Sequence, residues 1–409
     1  MTSILTLNSG SSSIKFALYH NGESLERGLF GTLERIGISG TSFTFQESKE
    51  NKSSSSLPAQ LSHSDATVFL LDWLEDNGYL ASLKAVGHRV VHGMDHTEPE
   101  QITPQLLKEL HEITIYDPEH LPKALELIEA IQKRFPKLLQ IACFDTSFHR
   151  SIPRVASMLP IPRCYEAKGI RRYGFHGLSY EYLVQELTRQ GDPVATNGRL
   201  ILAHLGNGAS MAAVRDGKSI DTSMGFTPAG GLVMSTRSGD LDPGLLSFFA
   251  RNEGMTPQEF DTMVNHESGL LGMSETSSDV RNLLESESSD VRSKEAISLF
   301  CYQAKKWIGS FAAALGGLDT LVFAGGIGEN SPVIRERICM GLDFLGIKID
   351  PSRNSMSVPI ISPEGCRVHV RVISTDEERM IARNTLQFLK HGDRILESDG
   401  PDGLQSYSH

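Results

Sequence analysis

The feature that most constrains the fold of this chain is a strand, loop, strand pattern that occurs twice, once at the N-terminus and once near residue 200. In residues 4–22 and again in 200–217, an apolar strand pattern leads into a glycine-containing loop, then into a second strand pattern and an Asn-Gly or Asp-Gly turn. The two loops are NSGSSS at 8–13 and HLGNGAS at 204–210. The repetition predicts an internal duplication, with a glycine- and serine-rich hairpin at the start of each of two α/β domains. Two unrelated hairpins are the alternative that this pattern alone leaves open.

Length and composition agree with two globular domains. The chain has 409 residues, of which 39% are hydrophobic and 22% charged, and these values exclude a collagen-like or largely disordered protein. The 39 basic and 50 acidic residues give a formal net charge of -11, which disfavours nucleic acid as a partner. The five cysteines form no C-x-x-C pair, and we find no signal-peptide pattern and no apolar run of about 18 residues. We therefore expect a cytoplasmic protein in a reducing compartment, without a membrane partner.

Two further segments have recognisable local patterns. Residues 321–324 read as a buried strand, 325–330 (GGIGEN) as a tight loop, and Ser331-Pro332 as the start of a helix that continues through Ile338. Near the C-terminus, Thr375 and Glu378 have the spacing of a capping box, which predicts a helix to about residue 390 that ends at His391-Gly392.

Three glycine-containing loops that follow strands could approach phosphate groups closely through their backbone N–H groups. They lie at residues 8–13, 204–210 and 325–330. The chain has neither a GxxxxGK[ST] sequence nor a GxGxxG sequence that opens a helix, so the P-loop and Rossmann interpretations are not supported.

Five charged or polar residues are candidates for chemistry. Arg89 and Arg237 carry permanent charges that suit a transferring phosphoryl group, although a surface or salt-bridged arginine is the ordinary alternative. Asp145 lies among aromatic residues and needs a partner such as Mg²⁺ or Arg89 if it is buried; a turn or cap is the alternative. His176 lies between two glycines and is either accessible to a ligand or structural, and Glu377 is free to help hold hydrated Mg²⁺.

Nine motifs, in order, span nearly the whole chain, and through them the chain resembles the acetate kinase family of the acetate and sugar kinase, Hsp70 and actin superfamily. The motifs are NSGSSSIK (8–15), HRVVHG (88–93), FDTSFH (144–149), YGFHG (173–177), HLGNGAS (204–210), DTSMGFTPAGGLVMSTRSGDLDPG (221–244), SSDVR (277–281), FAGGIGEN (323–330) and TDEE (375–378).

The resemblance implies an α/β fold of two duplicated ββαβαβ domains, of the ribonuclease H-like and actin type, that flank a cleft. Residues 1–149 with 379–409 would form the acyl and phosphate-side domain, and 150–378 the nucleotide-binding domain. The implied reaction is reversible, direct in-line transfer of a phosphoryl group from ATP to acetate, which gives acetyl phosphate and ADP. Mg²⁺ is the implied metal ion, with Mn²⁺ as a substitute, and a homodimer is the implied assembly.

The resemblance also assigns roles to particular residues of this chain. Asn8 and Glu377 would hold the metal ion, while Arg89 and Arg237 would bind the carboxylate and stabilise the transferring phosphoryl group. The other two implied catalytic residues are Asp145, near the metal and the acyl site, and His176, a hydrogen-bond donor to the transition state. Residues implied in substrate binding are Val91, His120, Phe175 and Pro228 for the acyl group, Ser11, Ser13 and Lys15 for phosphate, and His204, Leu205, Gly206, Asn207, Gly208, Asp279, Val280, Arg281, Gly325, Gly326, Ile327, Gly328, Glu329 and Asn330 for the nucleotide.

The chain departs from the usual family motifs at three places. Glu119 stands in the segment PEHLP where the family often reads PLHNP, Met94 and Asp95 follow HG in place of GE, and HGLSY (176–180) replaces HGTSH. Propionate kinase is therefore the near alternative to acetate kinase. A nucleotide-gated clamp would not need two arginines beside an apolar pocket, and a sugar kinase would need a pocket for a polyol, which Val91, Phe175 and Pro228 do not suit.

Overall fold

The structure is a computed structural model that describes residues 2–10, 12–22, 25–47, 53–57 and 60–398. Ser11 therefore lies outside the described residues. The chain divides into two compact units, called unit 1 (Met1–Ser147 with Glu377–His409) and unit 2 (Phe148–Asp376). Among the described residues, no helix is both long and apolar enough to cross a membrane.

The described residues form strands and α-helices with the following bounds. The strands are β1 (Thr2–Ser9), β2 (Ser13–Asn21), β3 (Leu25–Glu34), β4 (Ser42–Glu47), β5 (Ser53–Ser56), β6 (Leu83–Val90), β7 (Glu100–Gln101), β8 (Leu139–Phe144), β9 (Arg199–Leu205), β10 (Ala209–Arg215), β11 (Lys218–Thr222), β12 (Thr320–Ala324) and β13 (His369–Val372). The helices are α1 (His63–Asp76), α2 (Pro104–Glu112), α3 (Leu121–Arg134), α4 (Arg154–Ser157), α5 (Arg163–Glu166), α6 (Gly177–Arg189), α7 (Val194–Asn197), α8 (Gly244–Asn252), α9 (Pro257–Thr262), α10 (Gly269–Ser274), α11 (Val280–Ser286), α12 (Val291–Leu315), α13 (Gly325–Asn330), α14 (Pro332–Cys339), α15 (Pro351–Ser355) and α16 (Glu377–Ser398).

The sheets of the two units share a five-strand order, β3-β2-β1-β6-β8 in unit 1 and β11-β10-β9-β12-β13 in unit 2. The full order in unit 1 is β5-β4-β3-β2-β1-β6-β8-β7. In unit 1, β1 pairs antiparallel with β2 and parallel with β6. In unit 2, β9 pairs antiparallel with β10 and parallel with β12. The shared order confirms the predicted duplication and the α/β fold class, and each unit adds a third antiparallel strand, β3 or β11, to the expected ββαβαβ order.

Helices cover both faces of the sheet in unit 1, which is why its parallel strands are almost fully buried. Leu5 and Leu7 of β1 pack in one core cluster with apolar residues of α1 and α3, and Ala17 of β2 packs with Ala382 of α16 on the other face. Gly87 of β6 allows α16 to approach closely, since a Cβ at this position would lie 2.3 Å from Thr385 Oγ1. The helix α16 thereby begins beside the ends of β1 and β6.

The structure corrects two local predictions. Residues 325–330 form the short helix α13 instead of a tight loop, because Gly325 at φ +75° turns the chain directly from β12 into a helix. The helix α16 continues through His391-Gly392, its predicted end, to Ser398. Near its start, the Thr375 hydroxyl bonds Ser179 and the Glu378 carboxylate accepts from Asn8.

Candidate active site

The charged candidates of unit 1 lie where parallel strands end. Asn8 is near the carboxyl end of β1, Arg89 is the penultimate residue of β6, and Asp145 follows β8 directly. Because the carboxyl ends of parallel strands meet at one edge of a sheet, residues far apart in the sequence converge there, and this edge is where α/β proteins bind ligands. Glu377, the first residue of α16, reaches the same place.

Arg89 and Asp145 form a buried ion pair. Arg89 donates from Nε and Nη2 to Asp145 Oδ2, at 3.0 and 2.5 Å. The Asp145 side chain is 0% exposed and that of Arg89 is 15% exposed. Burial lowers the pKa of Arg89, but the charges of Asp145 and Glu377 and the hydrogen bond to Asp145 outweigh it, so the net pKa is raised. The guanidinium is therefore charged at every working pH. The sequence indicated Mg²⁺ or Arg89 as the partner of Asp145, and the structure shows the bond to Arg89.

Asn8 joins this pair to the start of α16. Its Oδ1 accepts from Arg89 Nη1 at 3.1 Å, and its Nδ2 donates to Glu377 Oε2 at 2.9 Å and to Glu378 Oε1 at 3.2 Å. Among the described residues, no group of three or more His, Cys, Asp or Glu could hold a metal ion. The amide oxygen of Asn8 and the carboxylate of Glu377 are nevertheless hard oxygen donors, and Mg²⁺ at nucleotide sites takes one or two carboxylates together with water and phosphate oxygens. The residues present fit such an ion.

The other predicted residues of unit 1 that the structure describes lie on β2, just beyond β6 and just before α3. His120 precedes α3 and its Nδ1 lies 2.9 Å from the buried Asp117, a carboxylate that also raises the pKa of Arg89. Val91 is buried just beyond β6, and Lys15 of β2 is the direct cross-strand partner of Asn8. Ser13 begins β2.

In unit 2, His176 is held in an unusual backbone conformation at the start of α6. It adopts φ +59° in the left-handed region, following Gly174 at φ +75°. Its Nδ1 lies 2.8 Å from Ser210 Oγ, and its ring stacks on that of His204 with centroids 4.3 Å apart and an interplanar angle of 24°. Gly177 begins α6, so His176 lies at the N-terminus of this helix. The ring, which the sequence predicted to be either accessible or structural, is held in place by Ser210 and His204.

The loop Gly206–Gly208 between β9 and β10 lies against these rings and against Arg237. A Cβ at Gly208 would lie 3.1 Å from His176 Nε2, closer than an ordinary contact, and 3.7 Å from Arg237 Nη1. Arg237 Nη1 also donates to the carbonyl oxygen of Pro228 at 3.2 Å. The structure thus brings together, within unit 2, the predicted histidine, arginine and glycine loop, with Pro228 at their side.

The helix α13 lies on the other side of the same loop. A Cβ at Gly206 would be 3.8 Å from the backbone nitrogen of Gly326. Glu329 of α13 accepts from the backbone N–H of Gly325 at 2.9 Å and from that of Thr375 at 3.1 Å, which ties α13 to the TDEE segment. The predicted residues that remain in unit 2 are Phe175, which is buried, and Asp279 to Arg281. Asp279 caps α11 and pairs with the exposed Arg281, whose hydrogen bond lowers the pKa of that carboxyl.

Comparison with known proteins agrees with this arrangement. A family model described as the acetokinase family matches residues 3–383. The chain belongs to the acetokinase family. The family resemblance inferred from the nine motifs is thus confirmed, and it decides against the clamp and sugar kinase interpretations. An acetokinase family member is a kinase, a phosphotransferase with ATP as a substrate.

Relatives of this acetokinase family member cover it almost entirely. It is 42% identical over 395 residues to an acetate kinase from Rhodopseudomonas palustris (strain TIE-1), over 95% of this chain and 99% of that one. A crystal structure of a propionate kinase from Francisella tularensis has a TM-score of 0.87 and 38% identity, and covers 94% of this chain and 99% of its own. The acetate kinase from Porphyromonas gingivalis has a TM-score of 0.84 and 36% identity, with coverages of 95% and 100%.

Sequence reasoning missed several polar residues that hold the acetokinase motifs in place. Arg335 of α14 is fully buried, and it donates to the carbonyl oxygens of Gly328 and Glu329, at 2.8 and 2.9 Å, near the end of α13. Burial lowers its pKa to about 10. Ser179, Tyr180 and Ser210 form the hydrogen bonds beneath the two histidines. Ser179, Tyr180 and Ser210 lie within motif segments, but the motifs do not show what these hydroxyl groups bind, so only the tertiary structure identifies their role.

Proposed function

We propose that this member of the acetokinase family catalyses reversible phosphoryl transfer from ATP to acetate. An acetate oxygen forms a bond to the γ-phosphorus while the bond from that phosphorus to the β–γ bridging oxygen breaks. ADP leaves with the electron pair of the broken bond, and acetyl phosphate is formed. The carboxylate is already a nucleophile at neutral pH, so the reaction needs no general base, and catalysis comes from positioning and charge stabilisation.

The observation that carries the proposal is the Arg89–Asp145 pair with Asn8 and Glu377 beside it. A guanidinium held by two hydrogen bonds to one buried carboxylate oxygen has a fixed orientation and a permanent charge. Such a preorganised cation can bind the acetate carboxylate and stabilise charge on the transferring phosphoryl group without reorganising during the reaction. We assign Arg89 this role and Asp145 the role of orienting it.

In unit 2, we assign Arg237 the role of the second cation and His176 that of a hydrogen-bond donor to the phosphoryl oxygens. Both face the loop Gly206–Gly208, whose two glycines leave room for a phosphate group. We place the nucleotide along this loop and α13, where Gly326 lies beside Gly206. Val91, His120, Phe175 and Pro228 are the residues we propose for the acyl group.

Mg²⁺ fits the donor set of Asn8 and Glu377, and when bound with ATP it would neutralise part of the phosphate charge. Asn8 currently accepts from Arg89 through the same oxygen that would face a metal ion. Asn8 therefore has two functions in the proposal: it holds Arg89 in place and supplies one of the few protein oxygens for the ion.

We further propose a cytoplasmic homodimer. The helix α8 has no buried side chain although its sequence is GLLSFFARN, and Phe248 is 52% exposed. An amphipathic or apolar helix without a covering partner is typical of an interface with another chain. A second copy of this chain is the partner that we propose, and light scattering in solution measures it directly.

The proposal is tested by a hydroxamate or ADP-coupled assay of the purified protein with ATP, Mg²⁺ and a series of short carboxylic acids. We expect hydroxamate formation with the largest kcat/KM for acetate, and lower values as the chain lengthens through propionate and butyrate. A larger kcat/KM for propionate would favour the propionate kinase alternative, which the similarity to the Francisella tularensis structure keeps in view. Absence of acyl phosphate with every acid would refute the proposed function.

A further inference from the structure

Two neighbouring residues of α6 hold the two stacked histidines through hydroxyl groups. Ser179 Oγ lies 2.8 Å from His204 Nδ1 and 2.7 Å from Thr375 Oγ1. Tyr180 reaches the other ring indirectly: its hydroxyl lies 2.5 Å from Ser210 Oγ, which in turn lies 2.8 Å from His176 Nδ1. Each imidazole therefore ends a chain of two hydroxyl groups at its Nδ1 atom.

Burial makes these chains rigid. Ser179, Tyr180 and Ser210 are all 0% exposed. Ser210 lies directly opposite His204 in the ladder between β10 and β9, so both side chains project from the same face of the sheet. Buried hydroxyl groups cannot exchange their hydrogen bonds with bulk water, and so the protein fixes which oxygen donates to which.

The opposite nitrogen of each ring points to the glycine loop. A Cβ at Gly208 would lie 3.1 Å from His176 Nε2, and a Cβ at Gly206 would lie 3.9 Å from His204 Nε2. In a neutral imidazole one nitrogen donates and the other accepts, and the partner at Nδ1 decides which tautomer is present. What bonds to Nδ1 therefore determines whether His176 Nε2 can donate to a ligand at the loop.

We propose that Tyr180 is a positioning residue that fixes the tautomer of His176. The phenol donates to Ser210 Oγ, and Ser210 donates to His176 Nδ1, which leaves the proton on Nε2 where the phosphoryl oxygens are bound. A phenol is a stronger hydrogen-bond donor than an aliphatic hydroxyl, because its oxygen lone pair is delocalised into the ring, and this sets the direction of the chain. The tyrosine is a departure of this chain from the HGTSH motif. The expected effect on kcat rests on the proposed function. The expected tautomer of His176 rests on the structure alone.

The principal test is Tyr180→Phe, which removes one oxygen atom and keeps the ring. We expect kcat for acetyl phosphate formation to fall about tenfold, while the KM values for ATP and acetate stay within about twofold, because the hydrogen bond from His176 acts on the transition state. Tyr182→Phe is the matched control, since it removes a phenol from the same helix at a residue that packs against the same core cluster as Tyr180. This control should keep the wild-type kcat.

The readout that does not depend on activity is ¹⁵N NMR of protein labelled at histidine, with the His176 signals assigned from a His176→Gln spectrum. Wild type and Tyr182→Phe should show a protonated Nε2 and an unprotonated Nδ1 for His176, and Tyr180→Phe should show a mixture of tautomers. Signals for His176 that are unchanged in Tyr180→Phe would overturn the inference. If the wild-type protein forms no acyl phosphate, the proposed function fails, but the NMR comparison still tests the tautomer.

Ser210→Ala interrupts the chain at its middle and serves also if Tyr180→Phe does not fold. We expect it to lower kcat at least as much as Tyr180→Phe. Adding Tyr180→Phe to Ser210→Ala should then change kcat less than about twofold, because in the relay the phenol acts on His176 through the serine. If the two substitutions lower kcat additively in the double variant, Tyr180 has a packing role, and the proposed chain from Tyr180 through Ser210 to His176 is contradicted.

Discussion

Replacement of Asp145 by asparagine should separate the two functions of the Arg89–Asp145 pair, which are to stabilise unit 1 and to orient the cation. Asparagine has nearly the same shape as aspartate but no charge, and it leaves the guanidinium buried beside a neutral group. The variant therefore changes the electrostatics of the pair without creating a cavity.

The structure sets the size of the effect. Removing one partner of a buried ion pair costs about 3–5 kcal/mol, because the other charge remains in a poorly solvated place. We expect the lower end, about 3 kcal/mol, because Arg89 retains its hydrogen bond to Asn8 and its electrostatic interaction with Glu377. The rate should fall about 100-fold or more, since a preorganised charge in a site of this kind contributes that much.

The matched control is Asp192→Asn in unit 2. Asp192 forms an ion pair with Arg371 in which the side chains are 6% and 11% exposed, comparable to the Arg89 pair, and neither residue belongs to the candidate site. Urea denaturation followed by fluorescence and circular dichroism gives the loss of stability, and the coupled ADP assay gives kcat and KM. Both variants should lose stability, but only Asp145→Asn should lose turnover. Equal losses of activity in the two variants, or a fully active Asp145→Asn, would refute the role assigned to the pair.

Three further predictions concern pH, the metal ion and the second cation. Burial lowers the pKa of His88 and of His149 to about 4, in each case against a hydrogen bond that raises it, whereas unfolded histidine titrates near 6.5. The unfolded chain therefore binds more protons below pH 6.5, so stability is full above that pH and falls toward pH 4, by up to about 1.4 kcal/mol per pH unit for each histidine. Urea midpoints at several pH values should show a shallower fall in His88→Gln, and an unchanged slope would contradict the assignment. Glu377→Ala should raise the Mg²⁺ concentration for half-maximal rate at least about tenfold, and an identical titration would remove Glu377 from the metal site. Arg237→Ala should lower kcat about 100-fold with an unchanged circular dichroism spectrum, and wild-type turnover would exclude it from catalysis.

The duplication could be predicted because short-range sequence patterns specify the repeated strands and turns. Alternating apolar residues and the Asn-Gly and Asp-Gly turns act over a few residues, and they set the hairpins β2–β3 and β10–β11. The order of the parallel strands depends on long-range pairing, and no local signal specifies it. The sheets therefore go beyond the sequence prediction without contradicting it.

The wrong prediction for residues 325–330 has a clear physical origin. GGIGEN was predicted to be a loop because glycine favours turns, but a single glycine at positive φ also lets a strand pass directly into a helix. Thr375 and Glu378, which have capping-box spacing, also bind the tertiary partners Ser179 and Asn8. Local propensity decides a conformation only where no stronger partner from elsewhere in the fold competes for the same groups.

In the candidate site, the sequence identified the motif residues by their chemistry, but it did not identify the residues that form hydrogen bonds with them. Arg89 and Asp145 are unusual in apolar surroundings, whereas Tyr180 and Ser210 look like ordinary core residues and Arg335 like an exposed residue of a helix. Yet Arg335 binds the carbonyl oxygens of α13, and Tyr180 lies two hydrogen bonds from His176. A motif residue can keep its identity while the residue that orients it changes, as Tyr180 illustrates in the HGLSY segment. Departures from a family motif should therefore be read first as changes in the hydrogen-bond partners of the catalytic groups, and only then as changes in the substrate pocket.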